Sequence, residues 1–94
     1  MAKNNDKFNY GVADIAQQLI GKACADRRKE LGYTQKEIAD KAGTSQQYIQ
    51  LFESGKQNIG FRLFIAILGC LDMHIDLMAK DGDNPVGFPP VNKN

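Results

Sequence analysis

What this chain lacks already narrows its function. Its 94 residues contain no run of 18 apolar residues, so we expect no contact with a membrane. The single histidine, His74, has no neighbours at metal-ligand spacing, and we predict no metal site. No Ser/His or Cys/His pair with a plausible base is present, and no Gly-rich phosphate loop either. We therefore expect no cofactor and set an enzyme aside.

The chain also has little net charge. The formal net charge is only +1, so sequence-blind attraction to phosphate cannot dominate any binding to DNA. The charge is unevenly placed, because most lysines and arginines lie in the first two-thirds while Asp72, Asp76, Asp81 and Asp83 crowd the end. The two cysteines are far apart among apolar residues, and no signal peptide precedes them. This is typical of reduced core thiols in a cytoplasmic protein.

The segment from Thr34 to Gly55 predicts two short helices joined by a tight turn. Thr34 and Glu37 have the spacing of a capping box, and Gly43 ends the first helix. The two hydroxyl residues that follow offer N-caps for a second helix, which ends at Gly55. Two short helices with a Gly-containing turn between them are typical of a helix-turn-helix.

The second helix of this motif, Gln46 to Glu53, has an apolar side around Ile49 and Phe52. Its other side, which has no charge, consists of Gln46, Gln47, Gln50, Leu51 and Ser54. Glutamine pairs bidentately with adenine in the major groove, and an uncharged face adds little sequence-blind affinity. The alternative is a merely solvated polar face. The capped helix and turn that precede it favour base reading.

Residues 27 to 71 resemble the phage-repressor (XRE-type) helix-turn-helix family. The matched positions are Arg28, Gly32, Thr34, Gln35, Glu37, Ala39, Gly43, Ser45, Ile49, Glu53 and Gly55. The resemblance implies an all-α, lambda-repressor-like domain of four to five helices that binds DNA. It also implies a structural salt bridge between Arg28 and Glu53, which would hold the first helix to the recognition helix.

The motif and the resemblance together suggest the DNA contacts. We predict base contacts from Gln46, Gln47, Gln50 and Leu51. We predict phosphate contacts from Gln35, Ser45, Tyr48, Ser54, Lys56 and Asn58. The loop residues among these are suited to clamp phosphates through side chains and backbone amides.

Two further helices flank the motif. From Val12 to Leu31 apolar residues recur at helical spacing and predict a first helix that covers the core. The last helix, Phe61 to Leu71, is apolar nearly all round, with a second stripe formed by Leu63, Ile67 and Cys70. We expect a partner subunit to cover that stripe, since a chain of this size has little else to cover it.

The segment Met73 to Ala79 alternates like a strand and has no evident partner in this chain. Its copy in a second subunit is the simplest partner. The predicted dimer interface is therefore Leu63, Ile67, Cys70, Met73, Ile75 and Leu77. This end of the chain is also similar to HipB-type antitoxins, in which such a strand pairs across a homodimer.

We therefore predict a flexible arm at 1–11, a DNA-binding and dimerisation domain at 12–80, and a flexible tail at 81–94. The predicted function is a homodimeric transcriptional repressor that binds double-stranded DNA at a palindromic operator. A narrower reading is the antitoxin of a toxin–antitoxin operon, with a HipA-like toxin as partner. The alternatives are a stand-alone phage-type repressor and a protein-interaction adaptor that does not bind DNA.

Overall fold

Side-chain caps and glycines set the ends of the helices. The computed structural model describes residues 7–78, together with the backbone of 86–88. Its elements are α1 (Tyr10–Leu31), α2 (Gln35–Ala42), α3 (Gln46–Glu53), α4 (Phe61–Cys70), β1 (Ile75–Leu77) and β2 (Val86–Phe88). Asn9 caps α1 by accepting a hydrogen bond from the Gly11 amide at 2.8 Å, and Gly32 ends the helix in the left-handed conformation. The predicted lambda-repressor-like helical fold is confirmed.

The predicted arm and tail fall mostly outside the described residues. Residues 1–6, 79–85 and 89–94 are not described. Helix α1 begins at Tyr10, two residues before the predicted start of the domain. Among the described residues, no helix is long and apolar enough to cross a membrane.

The core lies where α2, α3 and α4 meet the second half of α1. Its buried apolar residues are Cys24, Ile38, Ala39, Ile49, Phe52, Ile67, Leu68 and Leu71. Helix α1 packs on α3, and α4 packs on α2. The long helix thus contributes only Gly21, Cys24 and Arg28 to the buried interior.

The first half of α1 does not cover the core, contrary to the sequence-based expectation. Val12, Ile15 and Leu19 are 55%, 60% and 64% exposed. The three short helices are too small to extend beneath the first turns of a 22-residue helix. The helical period was correctly predicted, but no element of the described part of the chain buries these three side chains.

The middle residue of the second stripe of α4, Ile67, is covered within the chain, contrary to the expectation from the sequence. Ile67 is only 2% exposed and belongs to the core, while Leu63 and Cys70 are half-buried against it. The expectation that a second subunit covers this stripe is therefore wrong for Ile67, whereas Leu63 and Cys70 keep partly exposed surface. Helix α4 is apolar nearly all round because it packs on α2 on one side and on neighbouring core residues on the other.

The C-terminal strand also finds a partner inside the chain. Strand β1 pairs antiparallel with β2, with Ile75 opposite Phe88 and Leu77 opposite Val86. The predicted strand exists, but the expectation that it has no partner in this chain is wrong. Met73 and Ile75 are half-buried against the core, whereas Leu77 is 55% exposed.

Gly21 lets α1 approach the end of α3 closely. A Cβ at this position would overlap the carbonyl oxygen of Phe52 and lie 2.9 Å from that of Glu53. Backbone atoms cannot move aside as a flexible side chain can. A glycine in the middle of a helix is therefore explained here by packing, not by a turn.

We predict that Gly21→Ala lowers the free energy of unfolding by about 1–3 kcal/mol, because α1 must shift away from α3. Gly69→Ala in α4 is the matched control, since a Cβ there meets nothing within 4 Å. That control is expected to be neutral or to stabilise by about 0.5–1 kcal/mol. Urea unfolding of both variants is the measurement. Equal stability of the two would show that the close approach is unimportant.

Candidate DNA-binding face

The motif is built from two capped helices around a tight turn. Thr34 and Glu37 form a reciprocal capping box, with hydrogen bonds of 3.0 and 2.8 Å. Gly43 then takes a left-handed conformation with φ of 80° and ends α2. The Ser45 hydroxyl accepts a hydrogen bond from the Tyr48 amide at 3.1 Å and so starts α3. Local sequence therefore fixes the angle between the two helices.

Helix α3 has one buried face and one polar face. Ile49 and Phe52 are 1% and 4% exposed and anchor the helix in the core. Gln46, Gln47 and Gln50 are all exposed on the other face. The first and last turns of α3 carry no basic side chain. The arrangement offers amide donors and acceptors to a groove without a fixed charge.

Leu51, the fourth predicted base contact, differs from the glutamines. It is half-buried, and its carbonyl accepts hydrogen bonds from the Ser54 hydroxyl at 3.1 Å and the Lys56 amide at 2.9 Å. Ser54 thus uses its hydroxyl proton inside the protein. It can offer a phosphate only its backbone amide or a rearranged hydroxyl, so it is a weaker candidate than Lys56, whose ammonium is exposed.

Two other predicted phosphate residues tie the loop after α3 to the helix. The Tyr48 hydroxyl donates to the carbonyl of Asn58 at 3.4 Å, and Gln57 donates to the same oxygen at 3.3 Å. The contacts hold the loop at Asn58 against Tyr48 of α3. Polar groups from α3 and from the loop therefore converge beside the glutamine face.

A buried ion pair joins α1 to α3. Arg28 Nε lies 2.7 Å from Glu53 Oε2, and Arg28 Nη2 lies 3.0 Å from Glu53 Oε1. The two side chains are only 11% and 8% exposed. Arg28 also donates to the Tyr33 carbonyl at 2.8 Å. The hydrogen bonds to Glu53 raise the pKa of the Arg28 guanidinium and outweigh the lowering effect of burial.

Gln35 completes this network at the start of α2. Its Nε2 donates to Glu53 Oε1 at 3.0 Å. One carboxylate therefore accepts from α1 and from α2 while belonging to α3. An amide NH₂ group has a second proton, so this bond does not exhaust the donors that Gln35 can offer a phosphate.

Residues that sequence reasoning missed also hold α3. Gln17 Nε2 donates to the carbonyl of Gly55 at 3.0 Å, just after the end of α3. Gly55 has φ of +76° and lies against Gln18. The unexplained glycine at position 21, in mid-helix, was the available signal that another backbone approaches α1 here.

Cys24 lies beside this network and is chemically inert. Burial, together with the Glu53 carboxylate, raises the pKa of its thiol to about 11. A thiol with this pKa stays protonated near neutral pH and is a poor nucleophile. Both cysteines are free, as the sequence predicted.

The capped turn, the anchored α3 and its exposed glutamines define a helix-turn-helix protein. The helix-turn-helix family HTH_3 matches residues 25–78. The HTH-type transcriptional regulator y4dJ of Sinorhizobium fredii, itself uncharacterized, is 31% identical over 72 residues. That match covers 76% of this chain and 94% of the relative. The chain therefore belongs to the XRE-type helix-turn-helix family.

Solved structures share the fold. The restriction-modification controller protein C.AhdI from Aeromonas hydrophila has a TM-score of 0.60 at 20% identity, over 63% of this chain and 89% of its own. The clp gene regulator ClgR from Corynebacterium glutamicum has a TM-score of 0.59 at 23% identity, over 61% of each chain. A structure described as MDT Protein has a TM-score of 0.62 at 24% identity, over 83% and 100%. At these identities the likeness concerns the fold alone.

We predict strong coupling between Arg28 and Glu53. Arg28→Met or Glu53→Gln alone should each cost about 3–5 kcal/mol of unfolding free energy. Arg28→Met leaves the Glu53 carboxylate buried without its positive partner, and Glu53→Gln leaves the Arg28 guanidinium buried without its negative partner. The double variant should cost less than the sum of the two. A double-mutant cycle by urea unfolding measures this.

The exposed pair Lys36–Asp40, at 3.3 Å and with side chains 70% and 66% exposed, is the matched control. Its coupling should be about 0.3–0.5 kcal/mol, the usual value for such pairs on a helix surface. Additive losses for Arg28 and Glu53 would mean that the buried pair does not act as a unit.

Proposed function

We propose that the chain is a sequence-specific transcriptional repressor, acting in the cytoplasm, that reads base edges with Gln46, Gln47 and Gln50. The observation that carries this proposal is the uncharged, exposed glutamine face on a helix whose opposite face is buried. Glutamine is suited to adenine, whose N6 donates and whose N7 accepts. Leu51, which is half-buried, would add an apolar contact to a thymine methyl group.

Phosphate contacts would set the position of α3 in the groove. Lys56 is the strongest candidate, because its ammonium is exposed beside the loop. Gln35 and Ser45 stand at the starts of α2 and α3, where free backbone amides favour anions. Tyr48, Ser54 and Asn58 are the other proposed phosphate contacts. Such contacts orient the protein on DNA but carry little sequence information.

The repressor would act as a homodimer on a palindromic operator and block a promoter. The proposed contact is the outer edge of β1, because Leu77 and Met78 are 55% and 57% exposed and, among the described strands, β1 pairs on one edge only. Met73, Ile75, Leu63 and Cys70 have partly exposed surface beside this edge, whereas Ile67 has almost none. A two-fold axis here would set the two α3 helices roughly 34 Å apart, one turn of B-DNA.

The narrower proposal is a HipB-like antitoxin that binds a HipA-like toxin and represses its own operon. Its support is the resemblance of the C-terminal helix and strand, with the acidic residues from Asp72 onward as candidate contacts. A stand-alone phage-type repressor is the alternative, and an adaptor without DNA binding is the second. A toxin gene beside this gene would favour the antitoxin.

We predict that Gln47→Ala weakens binding to a site selected from random duplexes by about 1–3 kcal/mol and relaxes preference at one base pair. Lys56→Ala should weaken binding to selected and scrambled duplexes alike and reduce the salt slope by about 1. Titrations at several salt concentrations measure both effects.

Tyr10→Phe is the control, since it removes an exposed, uncharged polar group at the start of α1 that belongs to none of the proposed contacts. It should leave both affinity and preference unchanged. If Gln47→Ala lost equal affinity for every duplex, the glutamine face would not be reading bases.

A further inference from the structure

Helix α1 has two faces with different roles. The side chains and backbone that meet α3, or the core beside it, belong to Gln17, Gly21, Cys24 and Arg28. At 100° per residue these four point within about 30° of one direction. A second set, centred about 140° away, is wholly apolar and consists of Val12, Ala16, Leu19 and Ala23. With Ile15 and Ile20 on its flanks, we call this second set the α1 outer face.

The α1 outer face is exposed along its whole length. Val12, Ile15 and Leu19 are more than half exposed, and Ile20 is 39% exposed. No residue of Tyr10–Ile20 is buried. A helix segment of this length gains little stability from its own hydrogen bonds, and an apolar helix face ordinarily packs on something. No described part of this chain buries it, although Ala16, Ile20 and Ala23 border grooves shared with Phe64 of α4 and, beside Ala23, with Ile75 of β1.

The spacing of the α1 outer face suits a second helix. Val12, Ala16, Leu19 and Ala23 follow each other at intervals of four, three and four residues, which is the seam of a helix pair. The charged residues of this stretch, Asp14 and Lys22, lie off the seam. A helix with an apolar seam and no charge on it is therefore the occupant that fits.

The same spacing makes the face complementary to itself. When two copies of α1 pair antiparallel about a two-fold axis, Val12 of one can face Ala23 of the other, and Leu19 can face Ala16 of the other. Large side chains then meet small ones, which allows close packing without voids. An isologous contact requires this self-complementarity, whereas a foreign partner does not.

The area is sufficient for a contact between copies. With Phe8, which is 62% exposed just ahead of the helix, the face offers on the order of 500 Å² in each chain. Pairing two such faces buries on the order of 1,000 Å², the size at which specific interfaces begin. An interface this small gains from being joined to another contact in the same assembly.

We propose that the α1 outer face is a second self-association surface, separated from β1 by the groove between Ala23 and Ile75, through which two copies of this chain pair antiparallel. Val12 and Leu19 lie on the side of α1 away from α3, so they stay free when α3 lies in a groove, whereas Ala16 borders a groove that also includes Phe52. Together with the proposed β1 contact it joins two dimers into a tetramer, which would bind two neighbouring operators cooperatively. The tetramer rests on the proposed dimer, but the α1 pairing does not.

Sedimentation equilibrium of the full chain at micromolar concentration tests this with Leu19→Glu and Leu77→Asp, singly and together. The wild type should be a tetramer, each single variant a dimer and the double variant a monomer. Lys29→Gln, which makes the same change of −1 in net charge at an exposed position of α1 off the seam, should leave the tetramer intact. A circular dichroism spectrum that stays helical and a melting transition that stays cooperative in Leu19→Glu would show that the fold is retained, since Leu19 is 64% exposed.

The two proposals fail differently. A wild-type dimer that Leu19→Glu converts to a monomer, while Leu77→Asp does not, supports α1 pairing and overturns the β1 dimer. A mass that is the same for wild type and Leu19→Glu, at every concentration, overturns α1 pairing. Equal loss of mass in Leu19→Glu and Lys29→Gln also overturns it, because charge alone would then be the cause.

Discussion

The buried pair of Arg28 and Glu53 is the interaction on which the geometry of the motif depends. Arg28 reaches from α1 to the Glu53 carboxylate on α3 and to the Tyr33 carbonyl before α2, and Gln35 adds a bond from α2 to the same carboxylate. Three helices are therefore tied at one point. Such pairs fix geometry more reliably than they add net stability, and a recognition helix needs fixed geometry. Gly21 and Gln17 complete the attachment by holding the end of α3 against α1.

One long helix thus has two roles. One face, formed by Gln17, Gly21, Cys24 and Arg28, holds the recognition helix, while the other, around Leu19, is apolar and exposed. The separation allows the two faces to change independently, since contacts on the outer face do not touch the network at Arg28. The face that holds the recognition helix and the face proposed for the assembly of copies would then both belong to α1.

Local signals made the motif predictable. The capping box at Thr34, the left-handed Gly43 and the cap at Ser45 depend on neighbours within three residues, and sequence shows these directly. The partners of Arg28 and Gly21 are more distant, and only the first could be anticipated, through the family resemblance. Periodicity placed Ile67, Leu19 and Ile75 on the apolar faces of their helices and strand. It does not tell which element, if any, covers each of these faces. Strand β2, three residues in a segment rich in proline and glycine, has too short an alternation to be recognised.

The central claim, that the exposed glutamines of α3 read base edges, is tested most directly by NMR of the side-chain amides. Resonances of Gln46, Gln47 and Gln50 would be followed during titration with a duplex selected from a random pool and with its scrambled counterpart. We expect all three to shift strongly with the selected duplex and weakly with the scrambled one, while the side-chain amide of Asn9, at the start of α1, stays unchanged with both. Equal shifts with the two duplexes, or no shift of these glutamines when the selected duplex binds, would contradict the account.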